Sequence, residues 1–137
     1  MITASEAREY VADSIVQLGS LDLDLAFTDD EVAMAMKSAA RDFNSLPAPS
    51  YSVCASNLPS DTNVFFDGIA QHLFLTWHKK LIKEDFDYSA GGVTSNLVAK
   101  RIGHAKELIK LHGDRFKEAG VEMRLRANLR NGYGQVG

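Results

Sequence analysis

Four histidines, one cysteine and three clusters of acids are the side chains with chemistry to offer in this 137-residue chain. A metal site on a helix takes two histidines at i and i+4. His72 and His78 are six residues apart and His104 and His112 eight apart, so neither pair has that spacing, and core-edge or surface roles are expected. Cys54 has no neighbouring base in the sequence to make it a thiolate nucleophile. The acids Asp22/Asp24, Asp29/Asp30/Glu31 and Glu84/Asp85/Asp87 lack the alternating oxygen ligands of a calcium loop and read as caps and solvated turns. Gly91-Gly92-Val93-Thr94 stands before a helix, as in a phosphate loop, but no Gly-Lys-Ser/Thr follows and no strand precedes it. No catalytic constellation, metal site or cofactor site emerges. The expectation is a protein that binds rather than reacts.

Binding points to the far end of the chain. From Val121 to Arg130 the residues alternate, with Val121, Met123, Leu125, Ala127 and Leu129 on one side and Glu122, Arg124, Arg126, Asn128 and Arg130 on the other. Period two over ten residues predicts a strand. Ordering ten backbone residues costs about what burying five apolar side chains returns, so such a strand needs a partner edge. The arginines, with Tyr133 close by, read either as charges guarding an exposed edge or as contacts to phosphates or an acidic protein groove. Asn131 to Gly137 has three glycines in seven residues and reads as a mobile tail.

The elements that must carry this arm are helical. Around Asn63–Phe86 the apolar residues Phe66, Ile69, Ala70, Leu73, Phe74, Trp77 and Leu81 recur at helical spacing, with Phe65, Leu75 and Ile82 beside them. A helix apolar on most of its circumference belongs at the centre of a bundle. Gly68 inside it predicts close packing by a neighbour, since glycine there costs about 1 kcal/mol relative to alanine. Thr3-Ala-Ser-Glu6 and Thr28-Asp-Asp-Glu31 are capping boxes that start helices over about 4–18 and from Asp29 to before Pro47. Phe27 and Val32 are spaced as a hydrophobic staple on the second. Leu21 to Leu25 alternates and is read as an extended connector rather than a strand. Leu46 to Ser60 is a proline-punctuated loop in which Tyr51 to Ala55 has the makings of a short strand. Asp85 to Gly92 breaks the pattern, and a fourth helix runs from Thr94 or Ser95 to about Ala119. The predicted fold is therefore mainly α, a four-helix bundle over 1–120 with an extended, β-type arm over 121–137.

Hydrophobic residues make up 45% and charged residues 24%, the balance of a globular domain. Apolar runs are too short to span a bilayer, so no membrane partner is expected, and no secretion signal opens the chain. A lone cysteine fits a reducing cytoplasm. Residues 1–67 carry eleven acids against three bases, a net −8, and residues 68–137 seven acids against twelve bases, a net +5. Either solvated helix faces sort this way, or an acidic surface of one copy meets a basic surface of the next, a head-to-tail contact that builds rings.

Three stretches carry a family likeness: Phe27-Thr-Asp-Asp-Glu-Val-Ala-Met-Ala-Met-Lys-Ser-Ala-Ala-Arg-Asp-Phe-Asn-Ser-Leu-Pro47, Asp87-Tyr-Ser-Ala-Gly-Gly-Val-Thr-Ser-Asn-Leu-Val-Ala-Lys100 and Asn128-Leu-Arg-Asn-Gly-Tyr-Gly-Gln-Val-Gly137. Together they resemble small virion structural proteins of tailed bacteriophages, in particular the head-to-tail adaptor, or connector, proteins below the portal. The resemblance implies a helical subunit in a homo-oligomeric ring of twelve copies, assembled in the host cytoplasm into the virion neck. The ring would surround the DNA channel, bridge the portal to the next neck or tail protein, and touch packaged DNA non-specifically. It further implies that the C-terminal arm docks on the portal or on a neighbouring subunit. Val121, Met123, Arg124, Leu125, Arg126, Leu129, Arg130 and Tyr133 are the expected contacts. The strand-like alternation is stronger than a purely helical adaptor requires, which leaves open another neck or baseplate protein. A cytoplasmic regulator binding nucleic acid through the basic helix 95–119 is the competing class, without a helix-turn-helix signature to support it. A hydrolase using Cys54 or a histidine is a third, with no substrate to offer.

Overall fold

The computed structural model describes residues 1–17, 27–47, 51–90 and 96–133, leaving aside the side chains of 14–17, 84–90, 96–98 and 130–133. Four helices follow one another: α1 (Ala4–Gln17), α2 (Asp29–Asn44), α3 (Val64–Ala90) and α4 (Asn96–Tyr133), with a single 3₁₀ turn at Ala55–Asn57 before α3. The described residues contain no strand. Of the stretch Tyr51 to Ala55, residues 51–54 are instead irregular chain tied to α2 and Ala55 opens the 3₁₀ turn; the Asn44 side chain donates to the Val53 carbonyl at 3.1 Å and accepts from the Val53 N–H at 2.8 Å. The connector at Leu21–Leu25 and the Gly91-Gly92 turn lie outside the described residues.

The helix starts follow the local chemistry of the sequence. At Thr28 the hydroxyl accepts from the Glu31 N–H at 3.1 Å while the Glu31 carboxylate accepts from the Thr28 N–H at 3.1 Å, closing a capping box. Lys80 and the Thr28 N–H hold the Glu31 carboxyl below its usual range. Phe27 and Val32 are both buried, as the staple pattern requires. Thr3 and Glu6 repeat the box at α1, with Oγ1 accepting from the Glu6 N–H at 3.2 Å.

At the centre of the molecule, α3 packs most extensively against α4, then against α2, and also meets α1. Phe65, Ile69, Ala70, Leu73 and Phe74 are fully buried along it, joined by Val32, Ala39 and Phe43 of α2 and by Ala105, Leu108 and Phe116 of α4. Gly68 lies where α3 meets both α2 and α4 closely. A Cβ there would lie 2.9 Å from the Phe116 ring and 3.2 Å from the Ala39 methyl. The missing side chain is therefore the condition for α2, α3 and α4 to meet.

Two boundaries differ from the sequence reading. The break expected at Asp85 does not occur, and α3 continues to Ala90. More consequentially, the strand and extended arm expected over Val121–Arg130 are α-helix, an uninterrupted continuation of α4 through Gly120 to Tyr133. The boundary drawn between residues 120 and 121 thus falls within one helix. A helix satisfies its backbone groups internally and needs no second edge. Gly120 does not end it because it faces inward, where a Cβ would collide with Leu46 Cδ1.

Candidate docking surface along the distal half of α4

Where the chain enters this last stretch, Gly120, Met123, Arg124 and Ala127 turn toward the body at spacings of three and four. That stripe is helical once Arg124 is counted as an inward residue. Arg124 is 2% exposed, as buried as the core phenylalanines. Its guanidinium donates to the carbonyl of Phe43 and lies over the Phe43 ring, 5.4 Å from the centroid. Phe43 stands in the last turn of α2, and its carbonyl, which also accepts from the Leu46 N–H at 3.1 Å, takes the guanidinium as a second donor. Arg124 therefore caps α2 from α4, a favourable place for a cation at the negative end of a helix dipole. Its Nε has no hydrogen-bond partner among the described residues.

Of the eight residues expected to act together, those whose side chains are described do not share one face. Arg124 is buried and Met123 half-buried against the core, so both belong to the anchor of α4 rather than to its free surface. Val121 is half-buried. Leu125 and Leu129 project to solvent, 48% and 58% exposed, one helical repeat apart. Arg126 is exposed beside them and pairs with Glu122 at 2.5 Å. Arg130 and Tyr133 continue α4, their side chains outside those described. The apolar and basic positions expected on opposite sides of a strand are thus regrouped: Leu125, Arg126 and Leu129 share the outside, Met123 and Arg124 the inside.

Beside this segment runs a groove of ≈ 700 Å³ between α4 and the chain leading into α3, lined by Tyr51, Asp61, Val64, Met123, Arg126 and Ala127. Its lining mixes apolar and polar groups and carries both signs of charge, from Asp61, Glu122 and Arg126. Burial pushes the Tyr51 phenol above its usual pKa, with Asp61 adding to the rise and Arg124 opposing it. The groove can seat an apolar side chain or a short segment of another protein.

A polar cluster that spacing could not reveal lies within the bundle. The Asp67 carboxylate accepts from the Tyr10 hydroxyl at 2.5 Å and pairs through the same oxygen with His112 Nδ1 at 2.8 Å. His112 is 1% exposed, stacked on Phe74, with Nε2 unpartnered. Burial, then the Asp67 bond and charge, push the Tyr10 hydroxyl well above the usual tyrosine range, with Arg115 opposing. Three helices contribute one residue each, so the cluster fixes their mutual rotation. His72, for its part, meets Asp42 at 2.6 Å across the α2–α3 seam. Cys54 is exposed. Among the described residues no group of three potential ligands is placed to hold a metal ion, and no helix is long and apolar enough to cross a membrane. Comparison of the chain with protein-family models, with curated proteins and with solved structures finds no match.

Proposed function

We propose that this chain is a structural ring subunit of a tailed-phage neck, bridging the portal to the next neck or tail component around the DNA channel. The reading rests on the likeness of Phe27–Pro47, Asp87–Lys100 and Asn128–Gly137 to head-to-tail adaptors. The observation that favours it most is the construction of distal α4. A buried arginine fixes the helix to the body just where two leucines turn outward. A stretch anchored on one face and apolar on the other is suited to holding a second protein. Docking thus proceeds through a preformed helix, with little ordering cost on assembly, and no catalysis is assigned to the protein.

Co-sedimentation with the portal ring tests this. The neck reading predicts that the full chain pellets with the portal and that Leu125→Asp/Leu129→Asp weakens the association at least about tenfold, as loss of central apolar contacts does. Failure of the wild-type chain to associate contradicts it. Salt-dependent, sequence-selective DNA binding would point instead to the nucleic-acid regulator, with exposed Lys106, Lys110 and Lys117 of α4 as the phosphate contacts.

A further inference from the structure

The first helix is joined to the molecule differently from the other three. Around Gly68, α2, α3 and α4 meet without it. Polar contacts tie these three to one another as well: His72 to Asp42 at 2.6 Å, Lys80 to Glu31 at 2.7 Å, and Arg124 to the Phe43 carbonyl. Their shared core is aromatic, with Phe43, Phe65, Phe74 and Phe116 all buried. From residues 1–13 the core receives Ile2, Ala7 and Val11 as buried side chains, and no buried aromatic.

Polar contacts complete the fastening of α1. The Ile2 N–H donates to the Leu58 carbonyl at 2.9 Å. Arg8 donates to the Phe27 carbonyl at 3.0 Å and to Asp29 at 2.6 Å. Tyr10 reaches deeper. Its hydroxyl donates to Asp67 at 2.5 Å, and its ring centroid lies 5.3 Å from that of Phe66 and 5.7 Å from that of His112. Beneath it, Asp67 and His112 are 5% and 1% exposed. Asp67 also lines a cleft of ≈ 350 Å³ with Asn63, Arg115 and Glu118, which brings solvent up to this carboxylate from one side.

We propose that α1 is a clasp: it undocks from a bundle of α2, α3 and α4 that stays packed, and so uncovers Asp67, His112 and the Phe66 ring. Parting α1 from the body gives up three aliphatic side chains and a few polar contacts, whereas parting any other helix opens the phenylalanine core. The first opening is therefore the cheaper. Once undocked, a helix of 14 residues is too short to persist alone in water, so α1 unwinds and its amides meet solvent. Tyr10 is the catch, because its hydroxyl joins α1 to the buried carboxylate. The open state presents a carboxylate–imidazole pair and aromatic surface that the closed state hides. The clasp is independent of the neck reading, since it lies on α1 and not on distal α4.

Hydrogen exchange of the full chain, followed by mass spectrometry over a series of low urea concentrations, tests it. Peptides over residues 7–17 report α1 and peptides over 66–81 report α3. In wild type, residues 7–17 should be protected, but less than 66–81. Their protection should also fall less steeply with urea, because their opening exposes less surface. Phe43→Leu lies in the core of the other three helices and should lower protection over 66–81 by about tenfold while leaving 7–17 unchanged. Tyr10→Phe keeps the ring but loses a hydrogen bond to a carboxylate, and should lower protection over 7–17 at least about tenfold. Four results overturn the proposal: equal protection and equal urea dependence of the two segments; no protection of 7–17 in wild type; a fall over 7–17 in step with 66–81 in Phe43→Leu; or protection over 7–17 untouched by Tyr10→Phe.

Discussion

Arg124 is the residue on which the C-terminal third of the molecule turns. Among the described residues it has no carboxylate partner, and it is stabilised by one carbonyl, one ring and the end of a helix dipole. Arg124→Ala removes the hydrogen bond and leaves a cavity, so it should lower unfolding stability by about 2–4 kcal/mol. Arg124→Met keeps much of the volume and relieves the buried charge, and should cost clearly less. Urea denaturation followed by circular dichroism measures both, and equal losses would mean that packing is not what the site supplies. The Tyr10–Asp67–His112 cluster makes a second residue-scale prediction. The folded-state pKa of Tyr10 is raised, so above about pH 10 the unfolded chain loses a proton that the native chain keeps. Stability should then fall as pH rises through the alkaline range. Tyr10→Phe should flatten that fall, as thermal melts at pH 8 to 11 would show. These residues also mark what spacing could not disclose. His112 falls on the apolar stripe of α4, but its carboxylate partner is 45 residues away in sequence. Arg124 sits amid an alternation that mimics a strand, since an arginine in a sequence is ordinarily read as a surface residue.

Helices show where sequence suffices. Both capping boxes, the staple and the central place of α3 are written in local patterns, and α1 and α2 begin where those patterns put them. The end of α4 is different, because Glu, Met, Arg, Leu and Ala suit a helix while their order suits a strand. Tertiary contacts between Arg124 and α2 side with the helix. Two glycine substitutions separate packing from propensity. Gly103→Ala, where a Cβ would meet nothing within 4 Å, should stabilise by up to about 1 kcal/mol. Gly68→Ala should destabilise by about 1–3 kcal/mol despite the same gain in propensity, because the Phe116 ring must move. Truncation makes the same point for α4. Removal of residues 128–137 should leave the fold intact, whereas removal of 121–137 also deletes Met123 and Arg124 and should lower the melting temperature markedly.

For the molecule as a whole, the arm over residues 121–133 is a helix fixed along one side, with Leu125 and Leu129 exposed along the other, rather than a strand waiting for an edge. On the proposed neck reading, docking through such a surface requires no folding of the arm.

Amide hydrogen exchange, on the free chain and on the chain mixed with the portal ring, reads that surface directly. In the free chain, residues 121–124 should already be protected as part of α4, and on mixing protection should rise over residues 125–133. Rapid exchange throughout 121–130 in the free chain, or unchanged exchange at 125–133 in the mixture, would contradict a body-anchored docking helix.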